Sequence, residues 1–103
     1  MNKVILIGNL TRDPEYTTTA SGIAMCRFTV AVSRRFKNAE GNYDTDFLNC
    51  VAWRNNADFC NNYAKKGMKV SVVGSIQTRT YDAEDGSKRY ATDIVVDDVE
   101  LLT

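Results

Sequence analysis

Histidine is absent from the 103 residues. Its absence removes the commonest general base and the imidazole of a hydrolytic triad. No apolar run approaches the roughly 18 residues of a spanning helix, so no membrane span is expected. Met1-Asn2-Lys3 leads into a short aliphatic run with no small-residue cleavage site, which fits a strand rather than a signal peptide. The three cysteines, Cys26, Cys50 and Cys60, form no Cys-x-x-Cys pair. A structural zinc needs about four Cys or His ligands, so no metal is expected. An odd thiol count without a leader fits small buried residues in a reducing cytosol. Gly-x-x-x-x-Gly-Lys and Gly-x-Gly-x-x-Gly loops are missing too, so no phosphate-cradling cofactor site is expected. Asp44 with Asp46, and Asp82 with Glu84, are the available acid pairs, and carboxylates in such loops are ordinarily solvated turn residues. No cofactor and no catalytic residue is predicted, and an enzyme ranks last among the function classes.

A chain of 103 residues has room for one hydrophobic core. With 44% hydrophobic and 25% charged residues it has the composition of a soluble globular domain. Thirteen basic and thirteen acidic residues cancel, which argues against a polyanion partner until their distribution is considered. From Tyr16 to Ala39 there is no acid, while Arg27, Arg34, Arg35 and Lys37 are present. Acids gather instead at Asp82, Glu84 and Asp85, and again at Asp93, Asp97, Asp98 and Glu100. A locally positive side on a neutral molecule is what attraction to a phosphate backbone requires.

The most informative stretch is Asp46-Phe47-Leu48-Asn49-Cys50-Val51-Ala52-Trp53-Arg54. At the two-residue period of a strand, Leu48, Cys50 and Ala52 share one face, and Phe47, Asn49, Val51 and Trp53 share the other. The compact face suits the inside of a small barrel. The opposite face sets two large rings about 20 Å apart at strand rise. Aromatics mixed with a polar amide predict a surface made to be covered by a ligand.

In chain order, Lys3 to Leu10 predicts a first strand whose Val4-Ile5-Leu6-Ile7 is apolar on both faces. A barrel has one interior, so a second copy of the chain is the expected cover for the outer face. Gly8 predicts a bulge or tight bend and Pro14 a turn, with a polar loop or hairpin from Thr17 to Gly22. From Ala24 to Ser33 alternation puts Ala24, Cys26, Phe28, Val30 and Val32 inside, and Met25, Arg27, Thr29, Ala31 and Ser33 outside. Arg34-Arg35-Phe36-Lys37 follows as a basic tract around one ring, and Asn38 to Thr45 as a polar hairpin loop.

Asn55 to Lys66 predicts the one helix, a plug for a barrel end. Asn55 or Asn56 would cap it, Ala57, Cys60, Tyr63 and Ala64 would face inward, Lys65 and Lys66 would suit the C-terminal dipole, and Gly67 would stop it. Lys69 to Tyr81 then places Val70, Val72, Gly74, Ile76 and Thr78 on one side, and Val73, Ser75, Gln77, Arg79 and Tyr81 on the other. A tip around Asp85-Gly86 returns the chain as a last strand, Arg89 to Leu102.

Rings interleaved with cations are the positive signal. Phe36, Phe47, Trp53 and Tyr81 sit at or beside outward positions, with Arg34, Arg35, Lys37, Arg54 and Arg79 as neighbours. A base stacked on such a ring contributes about 1–3 kcal/mol whatever its identity. Guanidiniums beside the rings can hold phosphates or stack as well. Duplex DNA hides its base faces, so this surface suits single strands.

These segments resemble the core of bacterial single-stranded DNA-binding proteins. Asn2-Lys3-Val4-Ile5-Leu6-Ile7-Gly8-Asn9-Leu10, closed by Asp13-Pro14-Glu15, is close to that family's opening signature. Phe28-Thr29-Val30-Ala31-Val32, Tyr63-Ala64-Lys65-Lys66-Gly67 and Ile76-Gln77-Thr78-Arg79 followed by Tyr81 match in the same order, so the likeness covers essentially the whole chain. The resemblance implies an all-β fold, a five-stranded OB-fold Greek-key barrel with one helix between strands 3 and 4, formed by residues 1–103 as a single domain. It also implies a homotetramer in the bacterial cytoplasm, close to the nucleoid. Its partner would be single-stranded DNA, bound without sequence preference in replication, recombination and repair, with no membrane involved.

The family's base-stacking positions fall on Phe36, Phe47, Trp53 and Tyr81, several of them commonly tryptophan in relatives, so three smaller rings should stack less strongly. Phosphate contacts are expected from Lys3, Arg34, Arg35, Lys37, Arg54, Arg79 and Lys88. About five of them per subunit would give a log-log salt slope near −3.5, at about −0.7 per contact on single strands. The sequence ends at Thr103, short of the linker and acidic tip through which relatives recruit replication and repair enzymes, so that recruitment is not expected of these residues. The alternative uses of the same face are docking of a protein partner and binding of RNA.

Overall fold

Among the described residues six strands and one helix follow one another: β1 (Val4–Leu10), β2 (Glu15–Thr18), β3 (Ala24–Lys37), β4 (Tyr43–Trp53), α1 (Asn55–Tyr63), β5 (Lys69–Asp82) and β6 (Lys88–Leu101). The structure is a computed structural model and describes residues 1–102. Thr103, the last residue of the expected domain, lies outside the described residues.

β1 pairs antiparallel with β5, β5 with β6 and β4 with β3, while β4 and β6 run parallel. β3 then meets β1 again at Asn9–Ala31 and Leu10–Val30, which closes the sheet. Five strands thus form a closed barrel with the helix ahead of β5, and the expected OB-fold stands. The sixth strand, β2, occupies part of the stretch expected as turn and loop. All four of its residues are exposed, so no apolar period marks it. It forms because β1 reaches β3 only at Val30 and Ala31, leaving the β3 edge from Ala24 to Arg27 for β2 to pair with.

Closure depends on two close backbone approaches. A Cβ on Gly8 would collide with the carbonyl oxygen of Ala31, and one on Gly74 with that of Val95. Of the bulge or tight bend expected at Gly8, the bulge is absent from the β1–β5 ladder, whose register runs unbroken from Val4 to Asn9. The irregularity lies between Val73 and Gly74 in the β5–β6 ladder.

Small side chains fill the narrow bore. Cys26, Val30, Cys50, Ala52, Cys60, Val70 and Val72 are buried together, with Phe28 the large member. Val51 is buried as well, against its outward parity, because it stands in register between Arg27 of β3 and Val95 of β6.

The helix plugs the barrel through Ala57 and Cys60, with Ala64 just beyond its end. It is shorter than expected and capped differently. Neither Asn55 nor Asn56 caps it; Arg54 takes that position with φ 57 and ψ −122, without a side-chain cap. The Asn56 amide instead donates to the carbonyl oxygen of Asp97 at 3.2 Å, tying the helix to β6. Tyr63 faces solvent and tilts against Phe59 rather than joining the buried stripe. Ala64 is extended, so Lys65 and Lys66 lie past the last turn, where the Lys66 N–H donates to Asp13 Oδ1 at 2.8 Å.

Two hairpin arms extend past the barrel. The β3–β4 arm is exposed from Ser33 to Lys37, and β4 begins at Tyr43, inside the expected loop. Its turn is held by Asn38 Oδ1, which accepts the N–H groups of Glu40 and Asn42. On the β5–β6 arm β5 is exposed from Ile76 onward, so Ile76 and Thr78 leave the core side that their parity indicates.

Candidate nucleic-acid interface

Register places one continuous surface on the outside of the barrel. Met25, Arg27, Thr29 and Ala31 of β3 lie opposite Trp53, Val51, Asn49 and Phe47 of β4. Val51 lies opposite Val95 of β6, and on the same parity Asp93, Ala91 and Arg89 lie opposite Gln77, Arg79 and Tyr81 of β5. The alternation that puts Cys50 and Ala52 inside forces Phe47 and Trp53, the two expected rings of β4, outside: Phe47 is 64% exposed and Trp53 37%. Neither enters the barrel.

The other two expected rings sit on the arms. Tyr81 is exposed on β5, with the Arg79 guanidinium carbon 5.7 Å from its ring centroid. Phe36 shares the parity of the core residues Val30 and Val32. It is nonetheless exposed, because the strand has left the barrel and the ladder shifts between Ser33 and Lys37. The Arg35 guanidinium lies 5.9 Å from the Phe36 ring, and Lys37 lies 5.9 Å from the ring of Tyr43. Tyr43 and the exposed Tyr90 were not among the expected rings. The parity argument favours rings beside short aliphatic runs, and these two flank hairpin turns.

The expected cations divide into two groups. Among the described residues, Arg35, Lys37 and Arg54 have no carboxylate at ion-pair distance. The others are engaged. Lys3 lies 3.8 Å from Asp97, Lys88 3.7 Å from Asp82, and Arg79 donates from Nε to Asp93 Oδ2 at 2.9 Å. Arg34 is the most committed, with two hydrogen bonds to Asp46 and Asp44 at 3.8 Å. Those bonds hold the Asp46 carboxyl below its ordinary range and raise the Arg34 guanidinium above its own. Three of the four carboxylates in the two acid pairs of the sequence serve basic neighbours: Asp44 and Asp46 face Arg34, and Asp82 faces Lys88.

A groove of about 210 Å³ opens on this surface, with Arg12, Arg27, Asn49, Arg79 and Asp93 among its walls. Asp93 is 8% exposed and lies between two arginines, Arg27 Nη1 at 3.9 Å and Arg79 Nε at 2.9 Å. Arg27 and Asp93 were not among the expected site residues. Outward alternation marks Arg27, whereas nothing local to β6 shows that Asp93 comes to lie between residues of two other strands.

The three thiols are free and buried. Burial pushes Cys26 up to about 11 and Cys50 and Cys60 up to about 12, which makes them poor nucleophiles. Among the described residues no group of three or more His, Cys, Asp or Glu side chains is placed to hold a metal ion. No helix among them is long and apolar enough to cross a membrane.

The chain matches the model described as "Single-strand binding protein family" over residues 1–102. A single-stranded DNA-binding protein of Oceanobacillus iheyensis is 47% identical over 102 residues, which are 99% of this chain and 63% of that protein. Single-stranded DNA-binding protein 1 of Staphylococcus aureus is 46% identical over 99% of this chain and 61% of its own length. Single-stranded DNA-binding protein 4 of Streptococcus agalactiae is 47% identical, with 74% of its length covered. The chain spans a little over three fifths of the first two relatives.

Proposed function

The chain belongs to the single-strand binding protein family, and on that footing we propose that it binds and protects single-stranded DNA without regard to sequence, in replication, recombination and repair. The observation that supports this most directly is the exposure of Phe47 and Trp53 on the outer face of the barrel. Unpaired bases stack on these rings and on Phe36 and Tyr81, each contributing about 1–3 kcal/mol, because every base has a π-face. Arg35, Lys37 and Arg54 meet the backbone phosphates, Arg79 meets them beside Tyr81, and Lys3, Arg34 and Lys88 do so in competition with their carboxylates. Residues 1–103 act as one binding domain, a binder rather than an enzyme, in the bacterial cytoplasm.

Self-association as a homotetramer through β1 is part of this proposal. Ile5 is 70% exposed and Ile7 52%, alternating with the half-buried Val4 and Leu6. Since β1 pairs with β3 only at Asn9 and Leu10 and touches it at Gly8, the edge of β1 from Val4 to Ile7 has no paired strand beside it among the described residues. An apolar face next to an open strand edge suits a second copy.

Titration with a dT oligomer, followed by Trp53 fluorescence over a range of salt, tests the function. Quenching is expected, because the only tryptophan is in the site. With about four effective phosphate contacts once Arg34, Lys3 and Lys88 are discounted, the log-log slope should be near −3, at about −0.7 per contact. An unchanged emission spectrum at saturating DNA would point to a protein-docking face instead.

A further inference from the structure

We propose that Asp93 is a positioning residue: it fixes Arg27 and Arg79 as a pair of guanidiniums that seats one phosphodiester of the bound strand beside the Tyr81 ring. This deepens the single-stranded DNA reading above and rests on it. Asp93 is the one charged side chain among the described residues that is buried, and it is buried on the outer face rather than in the core. Its two oxygens serve different strands, Oδ2 taking Arg79 of β5 and Oδ1 facing Arg27 of β3. The Arg79 bond comes from Nε, so the plane of its guanidinium is set while both terminal nitrogens stay available, and the same group lies over Tyr81.

Charge indicates the occupant. The groove is lined by Arg12, Arg27 and Arg79 against Glu15 and Asp93, three guanidiniums against two carboxylates. One net positive charge remains, which matches the single negative charge of a phosphodiester. A carboxylate on a polyanion-binding face opposes binding, unless what it supplies is order. Two flexible arginines held in place before the strand arrives lose less freedom on binding than two free ones. Asp93 thus gives up part of the electrostatic attraction and contributes preorganisation.

The test is a dT-oligomer titration over a salt series, read by Trp53 fluorescence, with wild type, Asp93→Asn, Asp93→Glu and Arg27→Gln. Asp93→Asn unmasks a positive charge while releasing the pair. Its salt slope should steepen by about 0.7, while its affinity extrapolated to 1 M salt falls several-fold. Asp93→Glu should return both towards wild type. Arg27→Gln changes a half-exposed residue and should flatten the slope by about 0.7, which keeps the test alive if Asp93→Asn does not fold. A purely structural Asp93 would lower affinity equally at every salt concentration with the slope unchanged, and that result overturns the proposal. So does an unaltered slope in Arg27→Gln. Both of these results require a wild-type protein that binds dT; wild type failing to bind would instead sink the single-stranded DNA reading itself.

Discussion

Arg34 and Asp46 close on each other across the β3–β4 ladder through two parallel hydrogen bonds, Nε to Oδ2 at 3.1 Å and Nη2 to Oδ1 at 3.0 Å. A phosphate approaching Arg34 must displace a bidentate carboxylate, whereas one approaching Arg35 meets a guanidinium lying over the Phe36 ring. Arg34→Ala is therefore expected to weaken dT binding less than Arg35→Ala, measured side by side at one salt concentration. The reverse order would show that Arg34 abandons Asp46 for DNA. The pair also has a pH signature. Asp46 is held below its unfolded value by the Arg34 hydrogen bonds, so its contribution to stability is present above about pH 4 and fades as pH falls through the depressed value. Both side chains are exposed, so the effect should be small. Asp46→Asn should remove that part of the acid dependence in thermal melts.

Phe47→Ala and Trp53→Ala should each cost about 1–3 kcal/mol of binding, by similar amounts for dT, dA and dC oligomers. Anisotropy of labelled oligomers serves here, because one variant lacks the intrinsic fluorophore. A loss confined to one base would mean that the rings accompany hydrogen-bond recognition rather than replace it.

Ile5→Lys with Ile7→Lys places two charges on the exposed side of β1 while leaving the inward Val4 and Leu6 in place. Light scattering should show wild type as an assembly and the double variant as a monomer with an unchanged far-UV spectrum. A wild type that is itself monomeric at micromolar concentration would refute the β1 interface.

Arg54→Gly should separate stability from binding. Arg54 holds φ 57 with ψ −122, a sparsely populated positive-φ conformation that costs a non-glycine residue about 1–3 kcal/mol, between Trp53 and the helix. Glycine relieves this strain, offset by about 0.5–1 kcal/mol of added freedom in the unfolded chain. Melting is thus expected to stay level or rise slightly while dT affinity falls. A clear drop in Tm would assign Arg54 a packing role.

The buried thiols predict alkaline sensitivity. Their folded-state values of about 11 for Cys26 and about 12 for Cys50 and Cys60 lie above the unfolded value. The neutral thiols therefore favour the fold fully below about pH 8.5, and that stability declines as pH rises towards the folded-state values. Ellman's reagent at pH 8 should react slowly with the native protein and with all three thiols in denaturant. Rapid native reaction would place a thiol at the surface.

Much of the barrel is legible in one dimension. The alternation of Cys26, Phe28 and Val30 on β3, and of Cys50 and Ala52 on β4, survives folding intact, because a strand's two-residue period is set by its own backbone. The same period placed Phe47 and Trp53 outside. What failed were features that depend on a neighbour. β2 exists because β1 leaves an edge of β3 open, Val51 is buried because Arg27 and Val95 flank it, and the Asn56 amide reaches β6 while Arg54 stands at the start of the helix. Phe36 reached its expected exposure by a route that parity does not describe, through a hairpin that outgrows the barrel.

By itself the order of residues determined which side chains share a face, which rings escape the core, and where basic residues crowd. Only the tertiary structure decided which of those cations are already paired and that Asp93 stands between two arginines from other strands. The physical reason is range: alternation is a property of a single extended segment, whereas charge compensation acts over a few ångströms between residues that only sheet closure brings together.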